Sequence, residues 1–159
     1  MSELSHVDES GAARMVDVSA KDRSTRVATA TGVMRTTAEV TGLIAEGGLP
    51  KGDALATARI AGIMGAKRTP ELVPLCHPLA ISGAEVEFDV QDAEIGISAT
   101  VRTTDRTGVE MEALTAVTVA GLTLHDMIKA VDPAATLDAV RLERKEGGKS
   151  GIWERPVDR

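Results

Sequence analysis

Two periods govern where apolar residues fall along the chain, and the switches between them mark its elements. Val86, Phe88 and Val90 alternate with Glu85, Glu87 and Asp89, as a half-buried strand over Gly83–Val90 requires. A turn at Gln91–Ala93 leads into a second strand, Glu94–Thr104. Thr25–Arg35, rich in Thr and Val, predicts an earlier strand. Asp138–Lys145, with Val140 and Leu142 set against Arg141 and Glu143, predicts a last one. Met15–Val18 alternates like a short strand inside residues 1–22, which otherwise read as irregular.

Helices lie between these strands. Thr36-Thr37-Ala38-Glu39 has capping-box spacing and opens a helix to about Glu46, which Gly47-Gly48 ends. Asp53 is placed to cap a second helix, Ala54–Arg68, with Pro70 as its stop. Residues 71–80 hold Pro74 and Pro78 around Cys76-His77 and predict an ordered loop. Thr107-Gly108-Val109-Glu110 repeats the capping-box spacing and starts the longest helix, which runs to about Val131 before Asp132-Pro133. Residues 147–159 are expected to be partly irregular or mobile, as are residues 1–22. The order β-α-α-β-β-α-β, less its first helix, is the split βαβ pattern. It predicts an α+β fold: a ferredoxin-like α/β sandwich, an antiparallel sheet with helices packed on one face, as one domain over residues 1–159.

Composition narrows the function. With one Phe, one Trp and no Tyr, the core must be aliphatic, and a base-stacking platform for single-stranded nucleic acid is excluded. One cysteine, Cys76, cannot build a disulfide framework or a zinc ribbon. The net charge of −6 makes the whole chain a poor binder of phosphate backbones, so an anionic ligand needs a local basic pocket. No nucleic acid and no membrane are expected as partners. Ala113–Leu124 is too short and too flanked by charge for a span, and the first six residues lack a basic, then apolar, targeting pattern. A soluble, cytoplasmic chain is the expectation.

Several residues invite chemistry, each beside a plainer reading. Gly148-Lys149-Ser150 looks like the end of a phosphate loop, but Glu143 stands where its first glycine belongs and no helix pattern follows. A glycine-rich loop with Lys145 and Lys149 can still wrap an anion with backbone N–H groups; the plain alternative is a mobile tail. Lys51, just before a helix N-terminus, sits where the helix dipole disfavours its charge. It suits phosphate binding or proton transfer, against the plain reading of a solvated lysine. Cys76-His77 lacks the further ligands of a metal site. Either it pins a proline-rich loop, or His77 meets a polar ligand. Glu110 is explained by closing a capping box with Thr107; Glu112 is not, and is the better candidate. Glu112 and Asp126 are 14 residues apart, so they share a helix face yet stand about 21 Å apart. That spacing hints at a site shared between subunits. Asp126 and Lys129 have salt-bridge spacing, equally a structural pair and a way to hold a catalytic amine.

Six motifs in order then resemble one family. They are Met15-Val16-Asp17-Val18-Ser19; Lys51-Gly52-Asp53 with Ala56–Ile63; and Leu75-Cys76-His77-Pro78-Leu79. Thr107–Leu114, Asp126-Met127 with Lys129-Ala130-Val131, and Gly147-Gly148-Lys149-Ser150-Gly151 complete the set. From about Leu4 to Gly151 the chain closely resembles the MoaC family, the cyclic pyranopterin monophosphate synthases of molybdenum-cofactor biosynthesis.

The resemblance implies a lyase that converts a cyclised GTP derivative, made by a radical-SAM partner, to cyclic pyranopterin monophosphate and expels diphosphate. It implies no metal or other cofactor, and a homohexamer built as a trimer of dimers with intersubunit sites. Contact with the upstream radical-SAM enzyme belongs to the same expectation. By position, Asp126 matches the active-site aspartate, and Lys51 and Lys129 match essential lysines. Leu75, Cys76, His77, Met111 and Glu112 match substrate-contacting segments, and Arg26, Lys145 and Lys149 fall where the family is basic near the anionic ligand. Two residues depart from the pattern: Arg106 where lysine is usual, and His125 where a tyrosine occurs beside Asp126. The alternative is a non-catalytic ferredoxin-like module that binds a purine nucleotide, for which affinity without turnover is diagnostic.

Overall fold

The computed structural model describes residues 5–157. Its order is β1 (Ser24–Arg35), α1 (Ala38–Glu46), α2 (Ala54–Lys67), α3 (Thr69–Leu72), β2 (Ile81–Gln91), β3 (Glu94–Asp105), α4 (Glu110–Ile128), β4 (Thr136–Glu146) and β5 (Trp153–Glu154). The strands form one antiparallel sheet in the order β2-β3-β1-β4-β5. Both long crossovers, β1 to β2 through α2 and β3 to β4 through α4, skip one strand. This is the ferredoxin-like arrangement of two split βαβ units, with the helices on one face.

Strand alternation decides which sheet face meets the helices. Ala28, Ala30 and Met34 of β1 and Ile95, Ile97, Ala99 and Val101 of β3 are buried with Ala113, Ala116, Val117, Ala120 and Leu124 of α4. The opposite face carries Thr29 and Thr100, whose hydroxyls meet at 3.0 Å. A core this rich in alanine brings its layers close. A Cβ on Gly62 of α2 would lie 2.9 Å from the Ala116 carbonyl oxygen of α4, so only glycine permits that approach. The contact sets how the N-terminus of α2 stands beside the C-terminal end of α4.

Five local expectations are corrected. Met15–Val18 forms no strand; nearby, the structure has only a single bridge between Val7 and Ala13. The loop expected over residues 71–80 starts inside a short helix: α2 ends at Lys67, just before Pro70 as expected, but Pro70 then sits in the first turn of α3, where its missing N–H costs nothing. The N-cap of α1 is Thr37, which accepts from the Val40 N–H, because the Thr36 hydroxyl donates to Asp132 instead. The capping box at Thr107 does not form: α4 has Val109 as its N-cap with no side-chain cap, and Thr107 donates to the Gly108 carbonyl. Val140 points outward, because β4 bulges. Asp138 and Arg141 pair with Val33 and Thr31, one residue too many on β4, with Ala139 at φ 52°. That extra residue flips the alternation, leaving Leu137 and Leu142 packed on the core and Val140 exposed.

Beyond the glycine-rich loop the chain returns as β5 against β4. The Arg155 N–H donates to the Glu143 carbonyl at 2.8 Å, and its Nε to the Leu142 carbonyl at 2.7 Å. The loop carrying Lys149 is thus held at both ends. No helix among the described residues is long and apolar enough to cross a membrane.

Candidate active site

The candidate residues separate into two groups at opposite ends of α4. At its C-terminal end, Asp126 receives a lysine on each carboxylate oxygen. Lys51 Nζ donates to Oδ2 at 2.7 Å, and Lys129 Nζ lies 2.8 Å from Oδ1. The two ammonium groups, Lys129 first, hold the Asp126 carboxyl down at about 2. All three side chains are about half exposed, so the cluster faces solvent on an open surface. By sequence Lys51 stands at the positive end of the dipole of α2. Asp53 caps α2 as expected, by accepting from the Ala56 N–H, while Lys51 reaches across to the C-terminal end of α4, where positive charge is favoured.

The other group lines a cleft of about 490 Å³ at the N-terminal end of α4, which brings together Leu75, Cys76, His77, Met111 and Glu112. The loop 73–80 supplies one wall. His77 Nε2–H donates to the Val16 carbonyl, which fixes its tautomer and leaves Nδ1 for a ligand. That bond also ties the segment 15–18 to the loop, so its alternating residues wall the cleft rather than pair as a strand. Glu112 is only 3% exposed, and burial pushes its carboxyl up to about 7, with the Glu110 charge adding to the rise. Burial, then Glu112, also pushes the Cys76 thiol up, which suits packing and not a thiolate nucleophile.

The cleft continues past Gly108 and Glu110 into a basic cavity of about 430 Å³ lined by Lys21, Arg26, Lys149 and the backbone of Gly148 and Ser150, with Asp22 at its wall. Arg26 is anchored by the Asp105 and Arg106 carbonyls, at 3.2 Å each. A Cβ on Gly148 (φ 72°) would meet the Arg26 guanidinium at 2.2 Å, so glycine lets the loop lie on that side chain. Lys145 stands at the junction with its Nζ 3.0 Å from Glu110 Oε1. Glu110 is therefore an ion-pair partner of Lys145 and not a capping-box residue. Sequence reasoning missed Lys21, because it lies in a stretch without periodicity. Its carbonyl is held by Arg106 Nε at 3.1 Å, so the arginine that departs from the family pattern positions this segment.

Glu112 and the Asp126 cluster therefore do not meet within one chain. Among the described residues no group of three or more His, Cys, Asp or Glu is placed to hold a metal ion.

Comparison with known proteins bears on this arrangement. A family model described as the MoaC family matches residues 15–148. The chain is 64% identical over 153 residues to cyclic pyranopterin monophosphate synthase 2 of Mycobacterium tuberculosis, covering 96% of this chain and 92% of that one. It is 65% identical over 152 residues to cyclic pyranopterin monophosphate synthase of Streptomyces griseus, covering 96% and 86%. It is 58% identical over 153 residues to cyclic pyranopterin monophosphate synthase of a Roseiflexus species, covering 95% and 97%.

Proposed function

The chain belongs to the MoaC family, and from that premise we propose how its residues carry out cyclic pyranopterin monophosphate synthesis in molybdenum-cofactor biosynthesis. The reaction converts a cyclised GTP derivative to a cyclic pyranopterin monophosphate and releases diphosphate. It comprises successive proton transfers, as one ring opens and another forms, and one displacement at phosphorus. It asks for acid–base groups, a grip on the base and cations for the departing diphosphate.

The observation that carries the assignment of roles is the carboxylate of Asp126 shared by Lys51 and Lys129. With its carboxyl held at about 2, Asp126 stays ionised at neutral pH and does not itself carry the proton. It orients the two amines and keeps their charges side by side. Lys51 and Lys129 are the acid–base pair.

The remaining roles follow the cleft. His77 and Glu112, against Leu75, Cys76 and Met111, read the base or its ring-opened form. A carboxyl near 7 is present as both acid and carboxylate around neutrality, so Glu112 either donates to or accepts from a ring heteroatom. Arg26 and Lys149, with Lys21 beside them, hold the triphosphate. Lys145, half-neutralised by Glu110, stands between base and phosphates.

One chain cannot bring Asp126 to that cleft, because about 21 Å of helix separates it from Glu112. The reading therefore includes an assembly, a homohexamer built as a trimer of dimers, whose active sites draw on two subunits. The upstream radical-SAM enzyme is the source of the substrate, and co-elution of the two proteins tests whether it is passed on by contact. Lys51→Ala tests the assignment of roles: product formation is lost while the assembly keeps its mass. A variant that retains most of the turnover contradicts the role of Lys51.

A further inference from the structure

The loop that carries Lys149 has little of its own to hold it. Gly147, Gly148 and Gly151 all have positive φ, at 97°, 72° and 62°, and glycine loses the most conformational freedom when a chain is ordered. Among the described residues, a single backbone hydrogen bond closes within the loop, from the Gly151 N–H to the Gly148 carbonyl at 3.4 Å. Its order therefore depends on how its ends are fixed. One end leaves β4 at Glu146, which is paired with Val27 of β1. The other enters β5, which pairs at two positions, Glu154 with Arg144 and Trp153 with Lys145. A strand that short is marginal by itself.

Arg155 supplies what β5 lacks. Its backbone N–H donates to the Glu143 carbonyl at 2.8 Å, and its Nε to the Leu142 carbonyl at 2.7 Å. Its guanidinium stands 5.9 Å from the centre of the Trp153 ring, within cation–π reach, and its Nε is 3.8 Å from the Glu143 carboxylate. That carboxylate is itself held by the Thr31 hydroxyl of β1 at 2.6 Å. Pro156 follows and has no N–H, so Arg155 is the last residue able to extend the ladder here. These bonds join Arg155 to Leu142 and Glu143 and so close a hairpin over residues 144–154, with Lys149 at its middle. We propose that Arg155 is a positioning residue for the phosphate grip: by closing this hairpin it holds Lys149 beside Arg26 in the basic cavity, without touching the substrate itself. The inference rests on the reading that this cavity takes the triphosphate. Such coupling is reciprocal: if docked β5 strengthens diphosphate binding, bound diphosphate strengthens the docking of β5 by the same factor.

Inorganic diphosphate is the probe, and its binding is read by titration calorimetry. Arg155→Ala is expected to weaken that binding about 10-fold and to raise KM by a similar factor, with kcat and the far-ultraviolet circular dichroism close to wild type. In the Lys149→Ala background the same substitution is expected to add little, because the residue it acts through is gone. In the wild-type chain, amide hydrogen exchange over residues 152–157 is expected to slow when diphosphate binds. Unchanged affinity in Arg155→Ala overturns the inference. So does a fully additive loss in the double variant, which makes Arg155 a distant charge and not a positioning residue. Exchange over residues 152–157 that bound diphosphate leaves unmoved overturns it too, even if Arg155→Ala fails to fold. Wild-type diphosphate affinity in Lys149→Ala refutes the reading of the cavity itself. Weakened binding in Lys149→Ala, with none in Arg155→Ala, refutes the role of Arg155 alone.

Discussion

Lys51 Nζ lies 2.7 Å from Asp126 Oδ2, although 75 residues separate them in sequence. The contact exists because α2 packs along α4 with small residues between them, which brings the start of one helix beside the end of the other. The geometry has consequences that can be measured.

Asp126→Asn keeps the shape of the side chain and removes the charge that both lysines share. Steady-state turnover is expected to fall about 100-fold or more. The melting temperature should barely change, because an exposed pair contributes little to stability. The sign follows from the lowered carboxyl: whatever stability the cluster gives is present above 3.8 and lost as pH falls toward about 2. A large drop in melting temperature at pH 7 would contradict this.

Glu112 has the opposite sign. Its carboxyl is raised from 4.5 to about 7, so between those values the folded chain binds a proton that the unfolded chain has lost. Stability therefore falls as pH rises through that window, and the cost is complete above about 7. Glu112→Gln should melt a few degrees higher than wild type at pH 8 and with little difference at pH 4, while losing activity. Thermal melts at the two pH values check it.

The basic cavity predicts a separate kinetic signature. Lys149→Ala should raise KM more than it lowers kcat, and should weaken inhibition by inorganic diphosphate, because the role proposed for Lys149 is to hold phosphate and not to move a proton. Equal loss in kcat with unchanged KM would move Lys149 into the chemical step.

Gly62→Ala tests the helix contact itself. Its Cβ would stand 2.9 Å from a backbone oxygen of α4, which cannot swing aside as a side-chain tip can. A cost of about 1–3 kcal/mol is expected by denaturant titration. A loss of turnover should accompany it, because Lys51, in the turn that leads into α2, and Asp126, on α4, are held together by the packing of the two helices being pushed apart.

Much of this was legible in the sequence. The alternation of Val86, Phe88 and Val90 and the caps at Asp53 and Gly47 gave the strand and helix order, because each reports a local rule. What stayed hidden depended on contacts distant in sequence. Thr36 has capping-box spacing, but Asp132 takes its hydroxyl. Glu110 has it too, yet pairs with Lys145. The bulge at Ala139, which turns Val140 outward, leaves no mark in the alternation of β4. Lys51, Asp126 and Lys129 were identified as candidates by spacing and by family motif, whereas Lys21 was not. It lies in a segment that Arg106 and His77 hold in place by side-chain bonds to backbone, with no strand or helix of its own.

The central claim is the reaction, and stoichiometry tests it most directly. Purified wild-type chain is mixed with enzymatically prepared cyclised GTP derivative. Diphosphate is measured alongside the pterin, which is oxidised to its fluorescent form. One diphosphate released for each pterin formed is the predicted result. Binding of the substrate with release of neither product would contradict it, and would leave a nucleotide-binding member of the family without the reaction.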